Sequence, residues 1–189
     1  VTETKRRGRL WAGAMVAVTL VLGVGLYWFQ PWKLWQDATV HEALPAASPS
    51  AAAPGPTPSP TIPAAAPSAP AGPQTLAQGT LISHEHTTTG TAKLIRLPDG
   101  SRTLRLENLD TSNGPDLRVW LTDAPVQEGK AGWSVFDDGK YVSLGKLKGN
   151  KGDQNYEIPA DVNLADYSSV TIWCDRFDVS FGAAALATV

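Results

Sequence analysis

Cys174 is the only cysteine among the 189 residues of the chain. A lone thiol excludes an internal disulfide framework and a Cys₄ zinc site. It also cannot carry out dithiol–disulfide exchange within one chain. Redox use would need a partner's thiol, sulfenic acid chemistry or a metal. In the segment Val170-Thr171-Ile172-Trp173-Cys174, strand alternation puts Cys174 on the side of Val170 and Ile172, the expected core face. There it would be a small, buried and inert thiol. The segment ends at Cys174, however, and Asp175-Arg176 follows. A half-exposed sulfur at a rim is the alternative, with Arg176 favouring the thiolate and Asp175 and Asp178 opposing it. Both readings stay open at this point.

His84-Glu85-His86 holds the only close histidine pair. In an extended strand, positions 84 and 86 project to the same side, so both imidazoles are candidate ligands of one metal. Two ligands are too few for tight binding. A blue-copper set of two His, one Cys and a Met is not available, because the only methionine is Met15. Solvated residues at a strand end are the plain alternative, and a Cys174 plus His86 site would depend on the fold. Gly114-Pro115-Asp116 offers a carboxylate at a turn, although Gly, Pro and Asp each favour turns for their own reasons. Trp120 and Trp173 lie opposite the apolar sides of their strands. They would serve as exposed aromatics for a partner or be covered by a loop such as the one bearing Trp133. No nucleophile motif, phosphate loop, HExxH or EF-hand pattern is present. The sequence therefore gives no positive sign of a classical enzyme, and it requires no cofactor.

These residues need elements to position them. Composition divides the chain before any element is assigned. The formal charge of −2 is too near zero for a nucleic-acid binder that works by bulk electrostatics. Residues 10–29 are an uncharged apolar run of 20, long enough as a helix to cross a bilayer. Lys5, Arg6, Arg7 and Arg9 precede it, and Lys33 alone follows closely. The positive-inside rule then predicts a single-pass membrane protein with residues 1–9 cytoplasmic and everything beyond residue 30 extracytoplasmic. A cleaved signal peptide is the competing reading. The sequence after the run, WFQPWKLWQD, is bulky where a cleavage site needs small residues. An uncleaved signal anchor is therefore expected.

Residues 30–42 are a juxtamembrane segment. Residues 43–74 carry ten prolines and no charge, which forbids helix or sheet and leaves nothing to form a core. This run is expected to be a disordered spacer crossing an envelope layer. Residues 75–189 form the remaining domain, at a net charge of −4 from 11 basic and 15 acidic residues.

That domain reads as all-β. Strand patterns recur every ten to fifteen residues, without helical spacing. TAKLIRL and RTLRLENL flank Pro98-Asp99-Gly100, which predicts a hairpin with Gly100 left-handed. Its register sets Ala92 and Leu94 opposite Leu106 and Leu104, and Arg96 opposite Arg102. LRVWL turns Leu117, Val119 and Leu121 to one side. Seven or eight short strands predict one antiparallel β-sandwich or partly closed barrel, tethered to the N-terminal transmembrane helix.

Gly114-Pro115-Asp116, the run LGKLKGN over 144–150, Gln154-x-Tyr156-x-Ile158-Pro159 and the strand Val170-x-Ile172-Trp173-Cys174 together resemble the DM13 family. The resemblance covers about residues 80–186. It implies an electron-transfer domain of the kind tethered to membranes or placed beside haem-binding modules, with Cys174 corresponding to the residue proposed for redox. The expected function is then a membrane-anchored extracytoplasmic redox protein, with Cys174 as the reactive atom and His86 the best candidate helper. Its partner would be a redox protein. The alternative is a non-catalytic envelope module that binds a protein or polymer through loops such as 111–116 and 148–153, with Cys174 structural.

Overall fold

The computed structural model describes residues 2–45 and 72–189. Most of the Pro/Ala-rich run assigned to 43–74 lies outside the described residues. The first element, α1 (Thr2–Phe29), contains the whole apolar run and extends back through the basic residues. Among the described residues it is the one helix long and apolar enough to cross a membrane, and none of its apolar span is buried inside the protein. Gln30 ends it in the left-handed region, at φ 44°. Pro31 then opens a single 3-10 turn, Pro31–Trp35. Proline has no N–H to continue the α-helical ladder, so the change of direction falls here.

Among the described residues, eleven strands follow: β1 (Thr39–His41), β2 (Gln74–Thr80), β3 (Ile82–Ser83), β4 (Thr89–Arg96), β5 (Arg102–Asp110), β6 (Leu117–Thr122), β7 (Tyr141–Lys146), β8 (Lys151–Ile158), β9 (Ser169–Cys174), β10 (Val179–Ala185) and β11 (Ala187–Thr188). They form two sheets, ordered β1-β8-β5-β4-β2-β11 and β3-β10-β9-β6-β7. All pairings are antiparallel except β1 with β8. This is the sandwich form of the predicted architecture.

The β4–β5 hairpin has the register that its turn residues dictate. Ala92 meets Leu106, Leu94 meets Leu104 and Arg96 meets Arg102. Gly100 takes φ 85° at the turn, a conformation in which a Cβ would be strained. The two facing arginines do not conflict, because Arg102 turns its guanidinium to the carbonyls of Pro159 and Ala160, both at 2.9 Å.

The core lies between the sheets. Leu104, Leu106, Leu117, Val119, Leu121, Val170, Ile172 and Phe181 fill it from both sides. Alternation along β6 and β9 delivers these side chains inward and sends Trp120 and Trp173 outward. The outward pair is not left in water. Residues 123–140 fold over them, and the fully buried Phe136 packs edge-on against Trp173. Covering by this loop matches the sequence reading, although Phe136, not Trp133, is the covering ring.

Candidate functional site

β9 lies in the middle of its sheet, between β10 and β6, and all six of its residues are buried. Cys174, its last residue, pairs with Leu117 on one side and Val179 on the other. The chain then turns sharply through Asp175–Asp178. Phe177 N donates to Cys174 O at 3.2 Å, and Asp178 takes φ 50° to complete the reversal. The sulfur is thus pointed into the core below a tight turn and is 0 % exposed.

Two influences act on that sulfur in opposite directions. Burial is the larger and pushes the thiol pKa up, and the charge of Glu85 adds to it. Backbone N–H groups of Arg176, Phe177 and Asp116 pull the other way, because they favour a negative sulfur. Burial prevails, so the resting group is a protonated thiol. The part Arg176 plays differs from the sequence expectation. Its amide bears on the sulfur, while its guanidinium reaches away to the Trp28 carbonyl and lies 5.1 Å from the Trp28 ring.

Gly114-Pro115-Asp116 forms the adjoining wall. A Cβ at Gly114 would come within 3.0 Å of the Phe181 ring and 3.1 Å of Leu117, so close packing favours glycine here. The Asp116 carboxylate lies 3.4 Å from Arg118 and 3.6 Å from Lys146, and Arg118 continues to Asp175 at 3.0 Å. Asp116 O also accepts from Asp175 N at 3.0 Å. The residue that sequence offered as a ligand carboxylate therefore joins the turn beside Cys174 to β6 and β7.

The two histidines have different surroundings. Residues 84–86 form a bend and not a strand, so the alternation that would bring both rings to one side does not apply. His84 Nε2 lies 3.1 Å from the Gln127 carbonyl, and its Nδ1 lies 2.7 Å from Ser180 Oγ. A carbonyl only accepts, so Nε2 carries the proton and Nδ1 accepts from Ser180. The ring also stacks on Phe136, at 5.7 Å between centroids, on the outer side of the second sheet. His86 instead lies over Phe181, at 4.0 Å, and 4.0 Å from Glu85. Desolvation lowers the pKa of both histidines. Phe181 belongs to the same core cluster as Cys174, so His86 lies over the core that holds the thiol, while His84 lies against the outer aromatic group. Among the described residues, no group of three or more His, Cys, Asp or Glu side chains is arranged to hold a metal.

Trp173, next to Cys174 in sequence, belongs to the outer aromatic group. It stacks with Trp120 at 5.0 Å, Trp120 stacks with Tyr141 at 4.1 Å, and Phe136 meets Trp173 edge-on at 6.5 Å. Tyr141 is the exposed member, at 46 %.

One contribution to the site was not read from the sequence. The residues leaving α1 pack against this same end of the sandwich. Phe29 stacks on Phe177 at 5.8 Å, and Lys33 Nζ donates to Pro115 O at 3.3 Å. Phe29, Pro31, His86, Pro115, Phe177 and Phe181 wall a mainly apolar cavity of about 240 Å³ between them. The exposed aromatics Trp28, Trp32 and Phe177 were the available signal, since such residues collect where a chain leaves a bilayer.

With this geometry in place, comparison with known proteins gives one match. A family model described as electron transfer DM13 fits residues 80–186, a span that includes Cys174, both histidines of the bend, the Gly-Pro-Asp turn and Trp173. No curated protein and no solved structure matches the chain.

Proposed function

The chain belongs to the electron transfer DM13 family, and on that premise we propose that it is a membrane-anchored redox domain presented outside the cytoplasm, with Cys174 as its working atom. The observation that supports this most directly is the place of Cys174 at the end of β9, directly before the tight turn at 175–178, where neighbouring backbone N–H groups favour a negative sulfur. Amides fixed by a strand and a tight turn need no reorganisation when charge develops beside them. They would stabilise the thiolate once the turn at 175–178 admits solvent or a partner. With no second thiol in the chain, the balanced reaction takes a disulfide from a partner protein. The Cys174 thiolate attacks one sulfur of that disulfide, a new S–S bond forms as the partner's breaks, and the displaced partner sulfur leaves as a thiolate that takes up the proton Cys174 released.

The test is thiol labelling of the full chain in mild denaturant, followed against global unfolding. The expected result is a labelling rate set by local opening of the turn, well below the free energy of global unfolding. Labelling that tracks global unfolding alone would overturn the redox role of the thiol.

A second reading is favoured by one specific observation. Cys174 is 0 % exposed and its thiol pKa is raised by burial, as expected of a structural cysteine in an envelope binding module. Under that reading Cys174→Ala preserves function in cells, and the loops around 111–116 carry the binding.

A further inference from the structure

β1 lies outside the family-matched residues 80–186, yet it is hydrogen-bonded to the sandwich as the edge strand of its sheet. Thr39, Val40 and His41 run parallel to Lys151, Gly152 and Asp153. Lys151 N donates to Ala38 O at 3.2 Å, and Glu42 N to Asp153 O at 3.0 Å. Side chains hold both ends. At the first, Asn150 accepts from Ala38 N at 2.7 Å and donates to Asp37 at 2.8 Å, while Lys151 lies 3.1 Å from Asp37. At the second, the Glu42 carboxylate takes Lys148 Nζ and Asn155 N, each at 2.8 Å. The Arg105 guanidinium donates to Glu42 O at 3.0 Å, and Asn155 Nδ2 to Ala43 O at 2.8 Å.

The receiving edge is shaped for this segment. A Cβ at Gly152 would overlap the Val40 carbonyl oxygen, and one at Gly149 would overlap the Ala38 carbonyl oxygen and meet Val40 Cγ2 at 2.8 Å. Gly149 has no left-handed backbone to explain it. The passage of β1 is what leaves no room for a side chain there. Charge also matches, with Asp37 and Glu42 on the segment and Lys148, Lys151 and Arg105 on the domain.

We infer that residues 36–43 are a strap that binds the β8 edge and seats the Cys174 end of the sandwich on the membrane surface. This rests on the anchor half of the proposed function and is independent of what the thiol does. Three observations set the orientation. Only residues 30–38 separate α1 from β1. Phe29 and Lys33 already touch Phe177 and Pro115 beside Cys174. The 97–101 hairpin lies at the opposite end, since β5 runs away from it to Asp110, and residues 111–116 lead from there to Leu117, which pairs with Cys174. The Pro/Ala-rich run begins after the strap and rejoins the same sheet at β2. While the strap is bound, that run adds nothing to the height of the domain above the membrane. A redox or binding partner would then meet the Cys174 end in the plane of the bilayer and not across an envelope layer.

The experiment uses the full chain with Asp99→Cys in a Cys174→Ala background, labelled with a fluorescent donor at the far hairpin and placed in phosphatidylcholine/phosphatidylglycerol vesicles carrying an acceptor lipid. Glu42→Pro removes the N–H bonded to Asp153 and the carboxylate bonded to Lys148, and it leaves the sandwich core untouched. The expected result is strong energy transfer for the parent, with the label about 30–40 Å above the surface, roughly one strand length. In Glu42→Pro the reach rises to on the order of 100 Å, and transfer falls at least threefold. Equal transfer in the two proteins, while both float with the vesicles at full mass, would overturn the strap alone. Failure to float, or a mass lacking residues 1–29, would overturn the anchor reading and the strap's seating with it.

Discussion

Trp173 and Cys174 are consecutive residues whose side chains lie on opposite faces of one sheet: the indole 1 % exposed in the outer aromatic group, the sulfur 0 % exposed in the main core. Any movement of the end of β9 therefore disturbs two packed layers together. Trp173→Ala leaves Trp120 and Phe136 without their shared neighbour, and the expected loss is about 3–5 kcal/mol. Chemical denaturation followed by tyrosine and tryptophan fluorescence measures it. Trp173→Phe keeps a ring in place and should lose less than half as much.

Cys174 makes stability fall on the alkaline side. Its folded pKa is raised above the ordinary value of 9.0, chiefly by burial. Between those two values the unfolded chain has released a proton that the folded chain still holds. Stability is then complete below pH 9 and declines as pH rises through the folded pKa. Wild type should lose denaturation midpoint above pH 9 relative to Cys174→Ala, and the two curves should run parallel below it. Parallel curves throughout would show that burial does not hold the thiol protonated. Cys174→Ser should be destabilised by about 1–3 kcal/mol at neutral pH, because a hydroxyl placed among Leu117, Ile172 and Phe181 is a poorer apolar occupant.

What the sequence disclosed and what it withheld follow from the range of the interactions. The β4–β5 hairpin was legible because a three-residue turn sets the register between adjacent segments. The face of Cys174 was legible because strand alternation is local. The strap was not. TVH is only three residues long, its partner is parallel and lies about 110 residues away, and Gly149 and Gly152 read equally well as turn residues in KGNKGD. The backbone influence on Cys174 was also hidden. Backbone N–H groups are supplied by every non-proline residue, so no residue type marks where they act on a side chain. The pairing of His84 with His86 failed for a related reason. It assumed an extended strand, and the chain bends there to bond Ser180 and Gln127.

His84 gives an acid-side signature. Desolvation, the larger influence, lowers its pKa below 6.5, while its bond to Gln127 opposes the shift. A depressed histidine is neutral in the fold at a pH where the unfolded chain already binds a proton. Its contribution is complete above pH 6.5 and is lost as pH falls through the folded value. Below pH 6.5 the wild-type melting temperature should drop more steeply than that of His84→Gln, whose amide can still donate to Gln127. Identical slopes would mean that another group, His86 first, carries the acid sensitivity, because desolvation lowers that ring too.

Glu42 should govern how firmly the strap holds, and it does so with a defined sign. Its bond to Lys148 lowers the carboxyl pKa below 4.5, against the opposing effect of partial burial. The ionised form is therefore the one the sandwich binds. Strap docking should be complete above pH 4.5 and weaken as pH falls through the lowered value. Glu42→Gln removes the charge while keeping an oxygen to accept from Asn155 N, so at neutral pH it should loosen the strap without freeing it. Amide hydrogen exchange reads this directly. In wild type the amides of residues 39–42 should exchange far more slowly than free chain. In Glu42→Gln their protection should fall several-fold, while that of β9, in the middle of the other sheet, stays unchanged. If β9 loses protection in step with residues 39–42, the segment would be an integral part of the cooperative fold and not a separable strap.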